Sequence, residues 1–60
     1  MKTLSERILQ ASNLAFVEVL GFKCDKNITV IQCKRDLDDF FDVIIGTEST
    51  VETIVEEMKK

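Results

Sequence analysis

The segment from Ile28 to Gly46 constrains the fold of this chain most strongly. It contains two β-branched and aromatic runs, ITVIQCKR and FFDVIIG, joined by the acidic connector Asp36-Leu37-Asp38-Asp39. Both runs have the length of a strand, and their stiff β-branched side chains suit a pleated surface better than a helix. We therefore predict two neighbouring strands, the first over 28–35 and the second over 40–46.

Both faces of these two strands carry apolar side chains. In the first strand, one face would present Thr29, Ile31 and Cys33, and the other Ile28, Val30 and Gln32. In the second strand, the corresponding sets are Phe41, Val43 and Ile45, and Phe40, Asp42 and Ile44. A sheet that is apolar on both faces needs cover on both. Because so short a chain has little left to cover them, we expect a homodimer, most simply a two-fold one.

The amino-terminal part of the chain predicts a helix. Thr3-Leu4-Ser5-Glu6 has the spacing of a capping box, and the apolar stripe that follows has the helical period. From Leu14 to Leu20 that pattern is lost, so this segment is either a helix covered on several sides or a strand. We favour a helix over 4–20, because Gly21 stands where a left-handed residue commonly ends a helix.

A short strand, a turn and a second helix complete the predicted elements. The strand covers 22–25, and Asn27 is expected to take a left-handed conformation in the turn that follows. Ser49-Thr50-Val51-Glu52 predicts a second capping box, and apolar residues at helical spacing follow it. The sequence thus predicts a single α+β domain over 1–60, a three-stranded antiparallel sheet with N- and C-terminal helices in the order α-β-β-β-α.

Composition excludes several classes of protein. The chain is 45% hydrophobic and 32% charged, which is too apolar for a disordered chain, and no apolar run approaches the ~20 residues of a membrane span. Charged residues interrupt the first turns, so we expect no signal peptide and a cytoplasmic location. The net charge of −3 argues against direct binding of nucleic acid, which requires clustered basic residues.

Catalytic and cofactor sites lack their usual residues. The chain contains no histidine and only two cysteines, Cys24 and Cys33, which we expect to be reduced, unpaired and half buried. Its two glycines, Gly21 and Gly46, form no phosphate-binding loop. We therefore predict a protein that is not an enzyme and that needs no metal or cofactor.

Two short segments resemble motifs of known enzyme families. Asp38-Asp39-Phe40-Phe41-Asp42 resembles the DDxxD motif with which prenyltransferases and terpene synthases hold magnesium diphosphate. In those helical enzymes the carboxylates share one helix face. Here the motif leads into a predicted strand, which would divide the aspartates between two faces, so we interpret it as a turn entering a strand.

The segment 20–35 resembles the core of Mrr-like restriction endonucleases. It has Leu20-Gly21-Phe22, then Asp25, then a strand with the Q-x-K pattern of Gln32 and Lys34. The resemblance implies a magnesium-dependent nuclease in which these last three residues form the catalytic set. The acidic segment that precedes the Q-x-K strand in that family is missing here, so a degenerate or partial nuclease-like domain is retained as an alternative function.

Carboxylates are concentrated in the second half of the chain, and they suggest a binding surface. We predict a non-catalytic protein-binding module, an inhibitor or regulator that occupies a basic surface of a partner protein, such as a nucleic-acid-processing enzyme. An acidic mimic of nucleic acid and a structural homo-oligomer are alternatives, and the carboxylates also serve solubility. The predicted partner-binding residues are Asp36, Asp38, Asp39, Glu48, Glu52 and Glu56.

Overall fold

The computed structural model describes residues 2–60, which form two helices and one three-stranded antiparallel sheet. The elements in chain order are α1 (Leu4–Ala15), β1 (Glu18–Asp25), β2 (Ile28–Asp36), β3 (Asp39–Gly46) and α2 (Val51–Lys59). The strands lie in the order β1-β2-β3, so β2 is central. The predicted α+β class and the order α-β-β-β-α are therefore confirmed.

Helix α1 begins as predicted but ends earlier. The Thr3 hydroxyl accepts a hydrogen bond from the Glu6 backbone N–H, and the Glu6 carboxylate accepts one from the Thr3 N–H, so the capping box is present. The helix ends at Ala15, where Phe16 adopts a left-handed conformation (φ 58°). The prediction of a helix as far as Leu20 was wrong, because residues 18–20 pair with β2 as part of β1.

The turns and caps use different residues from those predicted. Gly21 does not end a helix; it lies in β1, where the register shifts between Val19 and Gly21. In the β1–β2 turn the left-handed residue is Lys26 (φ 54°) rather than Asn27. Helix α2 is capped by Thr50, whose hydroxyl accepts from the Thr53 N–H, so the Ser49–Glu52 capping box was also wrong.

Both helices pack on one face of the sheet, and the core lies between them and the strands. The buried strand residues include Ile31, Cys33, Val43 and Ile45, and the helices add Ile8, Ala11, Ile54 and Met58. These strand residues all belong to one of the two apolar faces predicted from the alternation. That face is the inner face of the sheet.

Two arginines tie the helices to the ends of the sheet. Arg7, in the first turns of α1, donates hydrogen bonds to the backbone carbonyls of Ser49 and Thr47, the latter at 3.1 Å. Arg35 donates to the Met58 carbonyl at 2.8 Å near the end of α2. The two helices therefore run parallel, with both N-termini beside the end of β3 and both C-termini towards the acidic connector.

The described part of the chain contains no membrane-spanning helix: within residues 2–60, neither helix has the length and apolar character that crossing a membrane requires.

Candidate protein-binding surface

The outer face of the sheet exposes several large apolar side chains. Neither helix of residues 2–60 packs on it, and we call it the open sheet face. Strand register places on it Gly21, Lys23 and Asp25 of β1, Ile28, Val30, Gln32 and Lys34 of β2, and Phe40, Asp42 and Ile44 of β3. Three large apolar side chains are more than half exposed there, Ile28 by 52%, Phe40 by 61% and Ile44 by 64%.

The apolar side chains of the open sheet face are grouped by strand pairing. Val30 lies directly across from Ile44 on β3 and from Lys23 on β1, and Ile28 is the next outward-facing residue along β2. A shallow depression of about 230 Å³ beside this group is lined by Gly21, Phe22, Lys23, Val30 and Gln32. The result is an aliphatic patch with a concave border, close to the β1–β2 turn.

Phe40 is an exposed apolar side chain at the opposite end of the face. It lies across from Lys34, whose ammonium nitrogen is 5.7 Å from the centre of the Phe40 ring. A cation over an exposed ring contributes about 0.5–1 kcal/mol. This contact holds the aromatic ring at the surface, next to the acidic connector.

The three connector carboxylates predicted to bind a partner lie together at this end. Asp36 pairs across the β2–β3 turn with Asp39, and Asp38 lies in the turn between them. Arg35 approaches Asp39 at 3.9 Å and partly offsets the charge. Leu37, which is 84% exposed, adds an apolar side chain at the tip of the turn.

The three predicted glutamates lie elsewhere. Glu48 follows the far end of β3, about 24 Å from the connector because an eight-residue strand rises about 3.4 Å per residue. Glu52 and Glu56 are exposed on α2, on the helix side of the sheet. The six predicted carboxylates therefore do not form one patch. Glu52 lies in the first turn of α2, where the helix dipole favours negative charge.

The three residues that resemble the nuclease motif are spread along the sheet. Asp25, Gln32 and Lys34 share the open sheet face, but Asp25 lies across from Ile28, four residues or about 13 Å along β2 from Gln32. Among residues 2–60, no group of three or more histidines, cysteines or carboxylates is placed to hold a metal ion.

The two cysteines have opposite environments, although we predicted both to be half buried. Both are free in the part of the chain that the structure describes, with Cys24 exposed and Cys33 only 1% exposed. Burial raises the pKa of the Cys33 thiol, the charge of Asp42 raises it further, and Arg35 lowers it in part. Cys33 is therefore a core residue rather than a nucleophile.

We expect a thiol reagent to modify Cys24 rapidly at pH 8 and to modify Cys33 only when the protein unfolds. Mass spectrometry of the native protein, sampled over time, should show one fast adduct, and denaturant should release the second site. Because the folded-state pKa of Cys33 is raised, its contribution to stability is present below the unfolded thiol pKa of about 8.5 and is lost as the pH rises above it. Equal modification rates for both thiols in the native protein would contradict this placement.

Comparison with known proteins gives no relative: no family model, curated protein or solved structure matches the chain. The surface must therefore be interpreted from its own residues. The acidic connector was predicted to be part of the surface, whereas Ile28, Val30, Phe40 and Ile44 were not predicted as site residues. Their signal was already present in the apolar alternation on both faces of β2 and β3.

Proposed function

We propose that this protein is a non-catalytic, cytoplasmic protein-binding module, an inhibitor or regulator that occupies its partner through the open sheet face. One observation carries the proposal: the sheet is covered on one side only, and Ile28, Phe40 and Ile44 are more than half exposed on the other. Grouped apolar side chains with charged neighbours are typical of binding surfaces. Two free cysteines are consistent with a reducing compartment.

The total exposed area is slightly above that of an average monomer of this mass. The chain exposes 4398 Å², whereas a monomer of 6.9 kDa is expected to expose about 4,000 Å². Covering apolar surface contributes about 25 cal/mol per Å². A partner that covers the patch around Val30 and Ile44 would therefore gain several kcal/mol, before the cost of association is subtracted.

In this proposal the connector carboxylates orient the partner protein on the open sheet face. Asp36, Asp38 and Asp39 adjoin Phe40 at one end of the open sheet face, so a partner with a basic rim would meet apolar and acidic groups together. Exposed charges of this kind raise the association rate in a salt-dependent way more than they add affinity. Glu52 and Glu56 lie on the helix side, so the proposal assigns them to solvation and helix stability.

Substitution of the open sheet face tests the proposal. The double variant Ile28→Asp with Val30→Asp is expected to bind a captured partner about 100-fold more weakly, because each lost aliphatic contact is worth about 1.5 kcal/mol or more. Leu9→Asp with Leu14→Asp is the matched control, since both leucines are exposed on α1, by 61% and 53%. Partners are captured from a lysate by the parent chain, identified by mass spectrometry, and titrated against each variant.

The outcome of the titration separates the open sheet face from other surfaces. Loss of binding in the control pair, with the face variant unaffected, would place the contact on α1 and overturn the proposal. A second comparison separates the two acidic groups. Asp38→Lys with Asp39→Lys is expected to slow association and to weaken its salt dependence, whereas Glu52→Lys with Glu56→Lys is expected to leave the rate nearly unchanged.

A further inference from the structure

The two edge strands of the sheet differ in how they are protected against pairing with another strand. Natural edge strands are blunted by bulges, by charged residues and by short length. β1 has a register shift beside Gly21 and carries the charged residues Glu18, Lys23 and Asp25. β3 has an unbroken register from Phe40 to Gly46, and its sequence DFFDVIIG contains neither lysine nor proline. Its charged residues are Asp39, at the start of the strand, and Asp42. Because it has no bulge within 40–46 and fewer charged residues than β1, β3 is the less protected edge.

Space for another strand is present beside β3. A groove of about 430 Å³ follows this edge, and its lining combines successive β3 residues with the ends of β2 and α2: Arg35, Asp39, Phe41, Asp42, Val43, Ile44, Glu57 and Lys60. Residues of both sheet faces line it, so the groove opens along the edge itself. Helix α2 does not close the edge at these residues.

We infer that β3 pairs antiparallel with β3 of a second copy of this chain, so that two three-stranded sheets form one six-stranded sheet across a two-fold axis. This interaction goes beyond the proposed partner binding and does not depend on it. The two-fold axis makes the two edges identical. Each backbone N–H at the β3 edge of one copy can therefore donate to a backbone C=O at the β3 edge of the other. The paired side chains are mostly apolar, and such cross-strand pairs are stabilising.

The charge pattern of β3 selects the register. Residues directly opposite each other in an antiparallel pair point to the same face of the sheet. If the helices of both copies lie on the same side of the joined sheet, the two-fold axis must therefore pair one β3 residue with the same residue of the other copy. An axis at Asp42 would place the two Asp42 carboxylates opposite each other. An axis at Val43 pairs every residue from Phe40 to Gly46 with one in the other copy and places Asp42 opposite Ile44 of the second copy. We take this register because it pairs the longest segment without opposing like charges.

The rim of the groove carries charges of both signs. Lys60 is exposed at the rim, at the end of the groove nearest the connector. Antiparallel pairing brings the opposite end of β3, which Glu48 follows, to this end of the first copy. In the register chosen above, Glu48 of the second copy comes near Asp38 and Asp39 of the first, and the basic side chains of Arg35 and Lys60 lie at the same end of the groove to offset this charge.

Light scattering with three variants tests both the edge and the register. A strand-edge contact falls in the weak class of interfaces, so the mass is measured at about 100 μM, where we expect twice the chain mass of 6.9 kDa. Ile44→Asp is expected to weaken the dimer at least tenfold, because each introduced carboxylate lies opposite Asp42 of the other copy, which creates two pairs of like charges in the dimer. Ile44→Lys is expected to retain the dimer, since the lysine then faces that same aspartate.

The third variant distinguishes dimerisation through the β3 edge from dimerisation through the open sheet face. Ile28→Asp lies on that face but on the central strand, so it is expected to retain the dimer. Dissociation by Ile28→Asp, with Ile44→Asp still dimeric, would instead indicate packing through the open sheet face and would overturn the inference. A monomer for the parent chain, or dissociation by Ile44→Lys, would overturn it as well. Binding of a different partner is measured separately by the titration above, so a dimer that fails to form leaves that measurement interpretable.

Disulfide trapping gives an independent measurement of the register. In a Cys24→Ser, Cys33→Ala background whose fold is checked by circular dichroism, Asp42→Cys chains are mixed with Ile44→Cys chains. Directly opposite residues lie about 4.5–5.5 Å apart at Cα, within the range of a disulfide. The mixed disulfide is therefore expected to form faster than that between two Asp42→Cys chains. Preferential trapping of the Asp42→Cys homodimer would contradict the register.

Discussion

Replacing Ile31 by alanine is expected to lower the free energy of unfolding by about 2–5 kcal/mol, which is the range for truncating a fully buried aliphatic side chain. Ile31 is 0% exposed on the central strand, in a core to which α1, β3 and α2 also contribute buried residues. A domain of this length has only about 3–9 kcal/mol of stability, so the variant should be largely unfolded or close to it. Urea denaturation followed by circular dichroism measures the change.

Val30→Ala provides the control for this prediction. Val30 neighbours Ile31 on the same strand, but its side chain is on the open sheet face and only partly buried. We expect a loss below about 1 kcal/mol, since little packing is removed. If Val30→Ala destabilised the protein as much as Ile31→Ala, the open sheet face would have to be covered within the monomer.

Replacing Arg7 by methionine is expected to lower the free energy of unfolding by about 2–3 kcal/mol. Its guanidinium donates to the carbonyls of Thr47 and Ser49, and hydrogen bonds to a charged group contribute about 1.5–3 kcal/mol. These bonds join α1 to the loop that leads into α2, so their loss also loosens the contact between the helices. Methionine keeps most of the apolar stem and removes the donors.

The control for Arg7 is Lys2→Met, which removes a positive charge from an exposed position near the same helix terminus. Exposed substitutions of this kind usually change stability by less than about 0.5 kcal/mol. Thermal unfolding of both variants at low and high salt separates the specific hydrogen bonds from the general effect of charge. An effect of Arg7→Met no larger than that of Lys2→Met would show that the two carbonyl contacts contribute little.

The fold was predictable where local pattern and tertiary contacts agree. The alternation in ITVIQCKR and FFDVIIG predicted β2 and β3 to within one residue at each end, and the spacing of apolar residues after Thr50 predicted α2. The boundary between α1 and β1 was not predictable in this way. Leu20-Gly21-Phe22 has the local pattern of a helix end, but the pairing of Glu18 and Val19 with β2 depends on residues far along the chain.

The candidate surface was only partly predictable, for a related reason. The sequence indicated two apolar sheet faces and an acidic connector, and these features are present. It did not indicate which face the helices cover, because that depends on how α1 and α2 pack against each other. The link from Arg7 to Thr47 and Ser49 helps to hold both helices on the inner face, and it joins residues about 40 positions apart.

The central claim is that the sheet presents a free apolar face for binding, and methyl NMR with a soluble paramagnetic reagent tests it most directly. At concentrations low enough to keep the chain monomeric, the reagent is expected to broaden the methyl signals of Ile28 and Ile44 strongly and those of Val30 partly, while those of Ile31, Val43 and Ile45 stay sharp. Adding the captured partner should then protect the first group. Broadening that is equally weak for both groups in the free protein, or no protection of the first group by the partner, would contradict the account.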